Sequence, residues 1–497
     1  MQHHTDHIQF AGDYKLDAIV LHNHQNEGID PDDQGVDITP LVIEMNIYEG
    51  IEKSSITGSL VITDSNNLIA KLPIQGTERL SFKLSTPGAH EEAHVVDCSE
   101  RTGHPMHVYK VSDRRQLNEG TQSYVLHFCS RELLRNLRTR VSESLSGRID
   151  QMVYKILGDP DYLDSRKRLF FQKTRNQDKI TIPNKRPFDA INMLSLRALG
   201  DDSKGAGYYF YQTTKGFHFR SFESMCVDVR GNARTPKQTF KYMPMNVDTM
   251  GDKSTKIAED YKSVEQYKFI NNFHDVLYNQ SLGTYGHRVI THNLYDKSYK
   301  ESDFHYHNYY NDTKHVDGPN PPIVDSPVDY EMTEDGKRAR GVSDYPESRV
   351  TVMPTTRFTH NEGTGAFGID VEQDGITEAA RISQNNAVAS GTNLKITVKG
   401  QSYLEPGDLI EFKLISVDEK NPDGEEDPQY SGRYVITKIR HQVNATKYTN
   451  AIECVKDSTK QGFSTGYKKL EKINSFSGVR NIYTAEQPAG ETNYGSS

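Results

Sequence analysis

One short stretch of this 497-residue sequence matches a zinc-protease motif. His90-Glu91-Glu92-Ala93-His94 spells H-E-x-x-H, in which a helix places two imidazoles one turn apart on zinc and the glutamate polarises the bound water. Pro87-Gly88 precede the motif and Val95-Val96 follow it, so no apolar helix is available to hold the pair. We therefore expect a loop between strands here, with no bound zinc and no hydrolytic activity.

Two further motifs lack the context that their chemistry needs. Gly363, Gly365 and Gly368 have the spacing of a dinucleotide fingerprint, but that site requires a preceding strand and a following helix, and the flanking residues alternate as in extended chain. The stretch 30–35 begins like a calcium loop, but Leu41 stands where the bidentate glutamate belongs. We expect a flexible loop and a turn, and we predict no catalytic and no cofactor-binding residue.

Three histidines lie in a polar stretch in the middle of the chain. His305, His307 and His315 are chemically able to bind a metal ion, but nothing in their spacing fixes a ligand geometry. We therefore predict no metal site at these residues.

Tyrosine is dense between residues 261 and 310, in a chain that has no tryptophan. Protein interfaces use tyrosine because it supplies a large amphipathic contact area at low entropic cost. Tyrosines that pack over their own sheet explain the same density, and the sequence leaves both explanations open. As a hypothesis, the partner-interface residues are three of these tyrosines and three aromatic residues near the C-terminus: Tyr306, Tyr309, Tyr310, Phe463, Tyr467 and Phe476.

Composition and charge argue against several classes of protein. Charged residues make up 26 % of the chain with both signs mixed, and the formal net charge is −9. A general nucleic-acid binder needs an excess of Lys and Arg, so we predict no nucleic-acid recognition. No apolar run approaches the length of a membrane span, and the first ten residues do not resemble a signal peptide. We expect a protein made in a cytosol, without stable membrane insertion.

The spacing of apolar residues along the chain predicts the strands and helices that position the candidate residues. Alternating runs separated by turn residues predict antiparallel strands up to residue 130 and again near the C-terminus. Apolar residues three and four apart predict helices between them, and alternation at 267–278 and 287–294 predicts a hairpin. The predicted fold class is mainly β with an α/β segment: two antiparallel β-barrels joined by a helical α/β domain, plus a polar insertion.

Changes in composition divide the chain into six segments. We predict a first β-barrel (1–130), an α/β helical domain (131–226), a linker with the start of the second barrel (227–300), an insertion or apical loop domain (301–375), a helix with the rest of the second barrel (376–457) and a polar C-terminal arm (458–497). The arm alone cannot bury enough apolar surface to fold, so we expect a neighbouring protein to hold it.

Several stretches carry a resemblance to a known family. They are Ile56-Thr-Gly-Ser-Leu-Val-Ile-Thr-Asp-Ser65, Leu394-Lys-Ile-Thr-Val-Lys-Gly400, Leu404-Glu-Pro-Gly407-Asp-Leu-Ile and Ser431-Gly-Arg-Tyr-Val-Ile-Thr-Lys-Ile-Arg-His441. With the order of elements, they resemble the baseplate central hub proteins of contractile-tailed bacteriophages, which are related to the hub part of type VI secretion spikes. Within the chain, stretch 58–63 also resembles 432–437, and stretch 80–84 resembles 410–414. Two related barrels in one chain would explain this likeness, and so would the ordinary composition of exposed strands.

The resemblance implies a structural virion protein of the tail baseplate, assembled in the host cytoplasm and not an enzyme. It implies a homotrimer whose six barrels adapt the sixfold tail tube to the threefold central spike, because three chains with two like surfaces satisfy both symmetries. The implied partners are the central spike protein, the tail tube proteins and other baseplate proteins. The alternatives are a zinc- or carboxylate-dependent tail hydrolase and a peripheral tail adhesin.

Overall fold

The computed structural model describes most of the chain between residues 9 and 460. The described residues are 9–22, 35–71, 74–87, 95–99, 102, 104–175, 177–201, 205–228, 231–242, 253–271, 275–295, 297–318, 320–325, 327–332, 336, 339–355, 358–361, 365–369, 371–415 and 426–460. The chain divides into two units, Met1–Gly462 and Phe463–Ser497. The H-E-x-x-H motif, the first glycine of the fingerprint, most of the calcium-like stretch and the predicted interface residues Phe463, Tyr467 and Phe476 lie outside the described residues.

The first 130 residues form the first half of a large antiparallel sheet. In the strand that spans residues 57–64, polar and half-buried residues alternate with buried ones, so Leu60 and Ile62 face the core. The elements are β1 (Lys15–Leu16), β2 (Val20–His22), β3 (Val36–Asp37), a short 3-10 helix (Thr39–Leu41), β4 (Val42–Gly50), β5 (Thr57–Asp64), α1 (Leu68–Lys71), β6 (Arg79–Ser85), β7 (Val95–Cys98), β8 (Met106–Asn118) and β9 (Thr121–Ser130).

An α/β segment follows with its own hydrophobic core. Its longest helices bury apolar residues three and four apart, and one of them begins with Pro187, whose missing N–H is not needed in the first turn. The elements are α2 (Arg131–Arg138), β10 (Val141–Gly147), α3 (Ile149–Gly158), β11 (Leu169–Phe171), β12 (Asp178–Lys185), α4 (Pro187–Ser195), β13 (Tyr208–Thr213), β14 (Gly216–Ser221) and α5 (Phe222–Cys226).

The remaining elements alternate between the insertion and the second half of the large sheet. No described helix is long and apolar enough to cross a membrane. The elements are β15 (Gln238–Lys241), α6 (Lys253–Lys262), β16 (Val264–Asn271), α7 (Val276–Ser281), β17 (Gly286–Asn293), β18 (Tyr299–His305), α8 (Tyr306–Tyr310), β19 (Pro327–Met332), β20 (Ala339–Gly341), a second 3-10 helix (Pro346–Ser348), β21 (Val350–Thr355), β22 (Phe358–Asn361), β23 (Ala366–Ile369), α9 (Val371–Ser390), β24 (Thr392–Lys399), β25 (Leu409–Lys413), β26 (Gly432–Asn444) and β27 (Tyr448–Lys456).

The predicted hairpin between 267–278 and 287–294 is wrong. β16 pairs with β24 in the large sheet, whereas β17 pairs with β18 and β21 in a separate three-stranded sheet. Alternating hydrophobicity shows which face of a strand is buried, but it does not name the strand that pairs with it.

The two halves share one 15-stranded sheet with the order β16-β24-β27-β26-β4-β5-β9-β8-β6-β2-β3 and four strands off this path. The mainly-β class with an α/β segment is confirmed, and the described path of strands is open rather than closed on itself. The similar stretches of the two halves do not occupy equivalent places. Among the described strands, β5 and β6 do not pair with each other, whereas β26 and β25 do.

Candidate functional site

The two halves meet where β4 pairs with β26, a boundary that we call the seam. It runs from Lys438 opposite Gly50 to Asn444 opposite Glu44. Arg440 lies 5.8 Å from the ring centroid of Tyr48 and donates hydrogen bonds across the seam to Glu44 and to Oδ1 of Asn46. The seam therefore joins the halves through both backbone and side chains.

The sheet face of the second half that points away from its core carries ion pairs between neighbouring strands. In the second half, Lys395 on β24 and Lys438 on β26 each lie 3.5 Å from a carboxylate oxygen of Glu453 on β27. These side chains are half-exposed, and ion pairs of this kind contribute about 0–1 kcal/mol each. The backbone ladder holds this face together, and its side chains remain accessible.

Eight strands, from β16 to β8, form an unbroken antiparallel run through the seam. Among the described strands, β16 pairs with β24 alone, so its other edge is open. β8 pairs with β6 only at His107 and Met106, which leaves 110–118 open on that side. Neighbouring strands in this run alternate in direction, and the run has an even number of strands. The two edge strands, β16 and β8, therefore run in opposite directions. Unpaired N–H and C=O groups along such edges are templates for another strand.

A buried charge cluster lies where both halves and the α/β segment meet. Glu405 and Asp408 belong to the L-x-P-G-D turn, and Lys215 of the turn between β13 and β14 forms an ion pair with Glu405. The Nζ atom of Lys237 lies 2.6 Å from Oδ2 of Asp408 and 3.6 Å from Oε1 of Glu405. Burial opposes ionisation of Glu405, but the two lysines lower its pKa below the ordinary value. The turn that carries part of the resemblance therefore joins three segments.

Glu49 of β4 faces this cluster with only 3 % of its surface exposed. Burial raises its pKa well above the ordinary value, and the nearby charges of Glu405 and Asp408 raise it further, against the effects of the Thr214 backbone and Lys215. This raised pKa favours the protonated form of Glu49, and retention of the proton costs free energy in the folded state at pH values above the ordinary pKa of a glutamate.

We expect Glu49→Gln to raise the free energy of unfolding at pH 7–8 by about 1–3 kcal/mol. The amide has the shape of the neutral acid but needs no proton. The pKa of Glu49 is higher in the folded state than in the unfolded state, so the native protein loses stability as pH rises from the lower to the higher value. The stability gained by Glu49→Gln should therefore vanish near pH 4, where Glu49 is protonated in both the folded and the unfolded state. Urea unfolding at the two pH values tests this, with the exposed Glu52→Gln as the control. An equal effect at both pH values would contradict the assignment.

His305 and His307 both lie within 4 Å of Asp325, whereas His315 lies at a different carboxylate. His315 pairs with Asp457 at 2.9 Å, and His307 contacts Ser343 and the carbonyl of Ile323. The structure therefore does not bring the three imidazoles to a common site.

His305 takes part in the one group among the described residues whose geometry could hold a metal ion. Its Nε2 atom lies 3.0 Å from Asp344 and 3.9 Å from Asp325, and the three ligand atoms lie within 4.8 Å of one another. The backbone N–H of Asn308 donates to Nδ1 of His305, so the neutral ring carries its proton on Nε2. That proton is donated to Asp344, and the ring acts as a hydrogen-bond donor in this group.

The structure places the three candidate tyrosines against their own chain. Tyr306 and Tyr310 are buried, and Tyr309 packs partly buried against Phe304 of β18. The ring of Tyr310 stacks on His315 with centroids 3.6 Å apart. This is the packing over their own sheet that the sequence left open as the alternative.

The first described residues of the predicted C-terminal arm also belong to the folded body. Ser458 accepts the N–H of Asp317 at 2.8 Å, and the N–H of Thr459 donates to the carbonyl of Asn320 at 3.1 Å. Both Ser458 and Thr459 are buried. Sequence reasoning missed these contacts because their partners lie about 140 residues away.

No protein-family model and no curated protein sequence matches the chain. Among solved structures it is similar to a tail protein from Neisseria meningitidis MC58, with 9 % identity, a TM-score of 0.48, and coverage of 89 % of this chain and 97 % of that one. The 43 kDa tail protein of prophage MuSo2 from Shewanella oneidensis matches with 10 % identity, a TM-score of 0.46, and coverage of 89 % and 99 %. An E. coli component of the type VI secretion system matches with 12 % identity, a TM-score of 0.37, and coverage of 85 % and 75 %. These three structural neighbours are two tail proteins and a component of a type VI secretion system.

Proposed function

We propose that this chain is a structural hub protein of a contractile-tail baseplate. In this role three copies form a ring that adapts a sixfold tail tube to a threefold central spike. The observation that carries the proposal is the seam, because it places two antiparallel halves side by side in one continuous sheet. Three such chains supply six halves to the tube and three equivalent positions to the spike.

The open edges of the eight-stranded run supply the contact between copies. β8 of one copy and β16 of the next meet antiparallel, so their pairing continues the alternation of the sheet. The two edges differ in sequence, which makes the contact heterologous, and a heterologous contact generates a ring when its rotation closes. Natural monomers protect long strand edges from pairing with other chains. Here the apolar side chains of Leu117 on β8 and Ile270 on β16 lie exposed on the two edge strands.

The role assigns partners to the two ends of the ring. The tail tube contacts the sixfold side, the central spike protein contacts the threefold side, and other baseplate proteins surround the ring in the virion. The polar C-terminal arm (458–497) serves as an attachment to a neighbouring protein, and its first residues, Ser458 and Thr459, are anchored on the folded body. The protein acts by binding and catalyses no reaction.

Native mass spectrometry and light scattering over a range of concentrations test the ring, with trimers as the expected result. Ile270→Lys on β16 should raise the concentration of half-assembly at least about tenfold, because a charge on the edge blocks strand addition. Ile43→Lys is a matched control, since both isoleucines are 50 % exposed but Ile43 lies on a strand inside the run. A native chain that stays monomeric at every concentration, also with the spike protein present, would refute the proposal.

A further inference from the structure

The three-stranded sheet of β18, β17 and β21 has one edge that no described strand covers. β17 lies in the middle and pairs antiparallel with β18 and parallel with β21. Among the described strands, β21 pairs with β17 alone, so one side of Val350–Thr355 is open. The side chains of Val350 and Val352 on this strand are 50 % and 68 % exposed. An edge of this kind can accept a further strand from another chain.

The ladder fixes which backbone groups of β21 point to the open side. The N–H of Arg288 on β17 donates to the carbonyl of Arg349 at 2.9 Å, and Arg288 lies in register with Val350. Backbone groups of successive residues in a strand point to opposite sides, so Val350, Val352 and Pro354 turn theirs away from β17. Proline has no N–H, and on the open side it costs the ladder no hydrogen bond. The open edge therefore offers the N–H and C=O groups of Val350 and Val352 to a partner strand.

The face of the sheet that carries these valine side chains is the exposed one. Val352 lies in register with Ile290 of β17, and Ile290 lies in register with Glu301 of β18. Residues in register on neighbouring strands share a face, and the sequence neighbours Val289 and Thr291 are buried on the other face. Apolar side chains of an added strand would therefore extend the row that Val352 and Ile290 begin.

Negative charge is in excess at the Val350 end of this face. The guanidinium of Arg288 lies 2.6, 3.6 and 3.9 Å from three carboxylates, those of Asp303, Glu347 and Glu301. These carboxylate side chains are between 48 % and 65 % exposed, and one guanidinium balances one of the three charges. The next cation along β21, Arg349, donates instead to the carbonyl of Leu282. A cation from a partner is favoured at this end.

We infer that the open edge of β21 binds an extended strand of another protein, whose apolar side chains alternate with polar ones and lead to a Lys or Arg. The strand runs antiparallel to β21, the slightly more stable arrangement per residue, with apolar side chains opposite Pro354 and Val352 and the cation opposite Val350. β21 of a second copy is a poorer match. Antiparallel pairing about Thr351 would set Val350 against Val352 and bring no cation to the exposed face. The inference does not rest on the ring, whose edges belong to a different sheet.

Fluorescence anisotropy of a labelled peptide, Thr-Val-Thr-Val-Thr-Lys with blocked ends, titrated with the full chain tests the pairing. The peptide should bind saturably. N-methylation of both valines should weaken binding at least about tenfold, because the valine N–H groups face β21 in this register. N-methylation of the second and third threonines, whose N–H groups face away, is the control and should change binding less than about threefold. Equal losses for the two peptides would overturn strand addition.

Val352→Pro tests the same contact from the side of the chain. It removes an N–H that the ladder with β17 does not use, and it should weaken peptide binding at least about tenfold while the thermal midpoint stays near that of the native chain. Val352→Ala is the matched control, because it keeps the N–H and shortens only the side chain. An equal loss in the two variants would overturn the role of the backbone, and the N-methylated peptides decide the question if Val352→Pro does not fold.

Charge reversal tests the acidic end of the site. At about 50 mM salt, Glu301→Lys with Glu347→Lys should weaken binding of the peptide at least about tenfold, and the same peptide ending in glutamate should then bind better than the original. At about 500 mM salt the differences should shrink. Glu119→Lys with Asp161→Lys is the control, because both acids are exposed on other elements. The same effect from both pairs of substitutions would refute the place given to the cation.

Hydrogen exchange distinguishes the possible occupants of the edge. The amides of Val350 and Val352 should exchange fast in the chain alone and become protected when the peptide is added. Protection in the chain alone would show that this chain covers its own edge, and protection that grows with protein concentration would show that a second copy does. Either result would overturn the inference. Failure of the chain to form trimers would refute the ring and leave this binding site standing.

Discussion

Replacing Asp317 with asparagine should lower the free energy of unfolding by about 3–5 kcal/mol. The side chains of Asp317 and Lys456 are 4 % and 1 % exposed, and the carboxylate lies 3.0 Å from the ammonium. Lys456 also donates to the carbonyls of Gln429 and Ser431, which carry no compensating charge. Burial lowers the pKa of Lys456, and Asp317 opposes that shift. Loss of the carboxylate charge therefore removes the counter-ion that lies 3.0 Å from a buried ammonium group.

Urea unfolding of Asp317→Asn at neutral pH measures this loss. Glu453→Gln is the comparison, because Glu453 pairs with Lys395 at 3.5 Å on the half-exposed sheet face and its replacement should cost less than about 1 kcal/mol. Similar losses in the two variants would show that the buried pair does not hold the insertion loop to the end of β27.

Gly58→Ala should destabilise the protein by about 3 kcal/mol or more, although it adds a single methyl group. A Cβ atom at this position would lie 2.2 Å from Cζ of Phe128 and 2.4 Å from the backbone oxygen of Asn46. Phe128 is fully buried and Asn46 lies on β4, so neither neighbour moves without disturbing the ladder beside the seam. The backbone of β5 and the ring of Phe128 approach each other closely, which explains why glycine occupies position 58 in the stretch 56–65 that carries part of the resemblance.

Thermal and urea unfolding of Gly58→Ala test the prediction against Gly120→Ala. A Cβ atom at residue 120, in the turn between β8 and β9, meets no atom within 4 Å, so this control should stay within about 0.5 kcal/mol of the native chain. A loss that is no larger at residue 58 than at residue 120 would show that the sheet relaxes around the added methyl group.

Local patterns in the sequence were sufficient for much of the architecture. Alternation predicted antiparallel strands up to residue 130, and β5, in which Leu60 and Ile62 are buried on one face, is one of them. Spacing by three and four residues predicted helices between the two strand-rich parts, and α3 and α4 lie there. These features depend on neighbours within a few residues, which the sequence contains explicitly.

The sequence by itself determined the mainly-β class and the α/β segment, because both follow from short-range periodicity. Only the tertiary structure decided that β4 pairs with β26, that β16 joins β24 instead of β17, and that Tyr306 and Tyr310 are buried. It also decided that Glu49 is buried near Glu405, far along the chain, which raises the pKa of Glu49. These outcomes depend on which distant surfaces meet, and a strand's alternation is compatible with many partners.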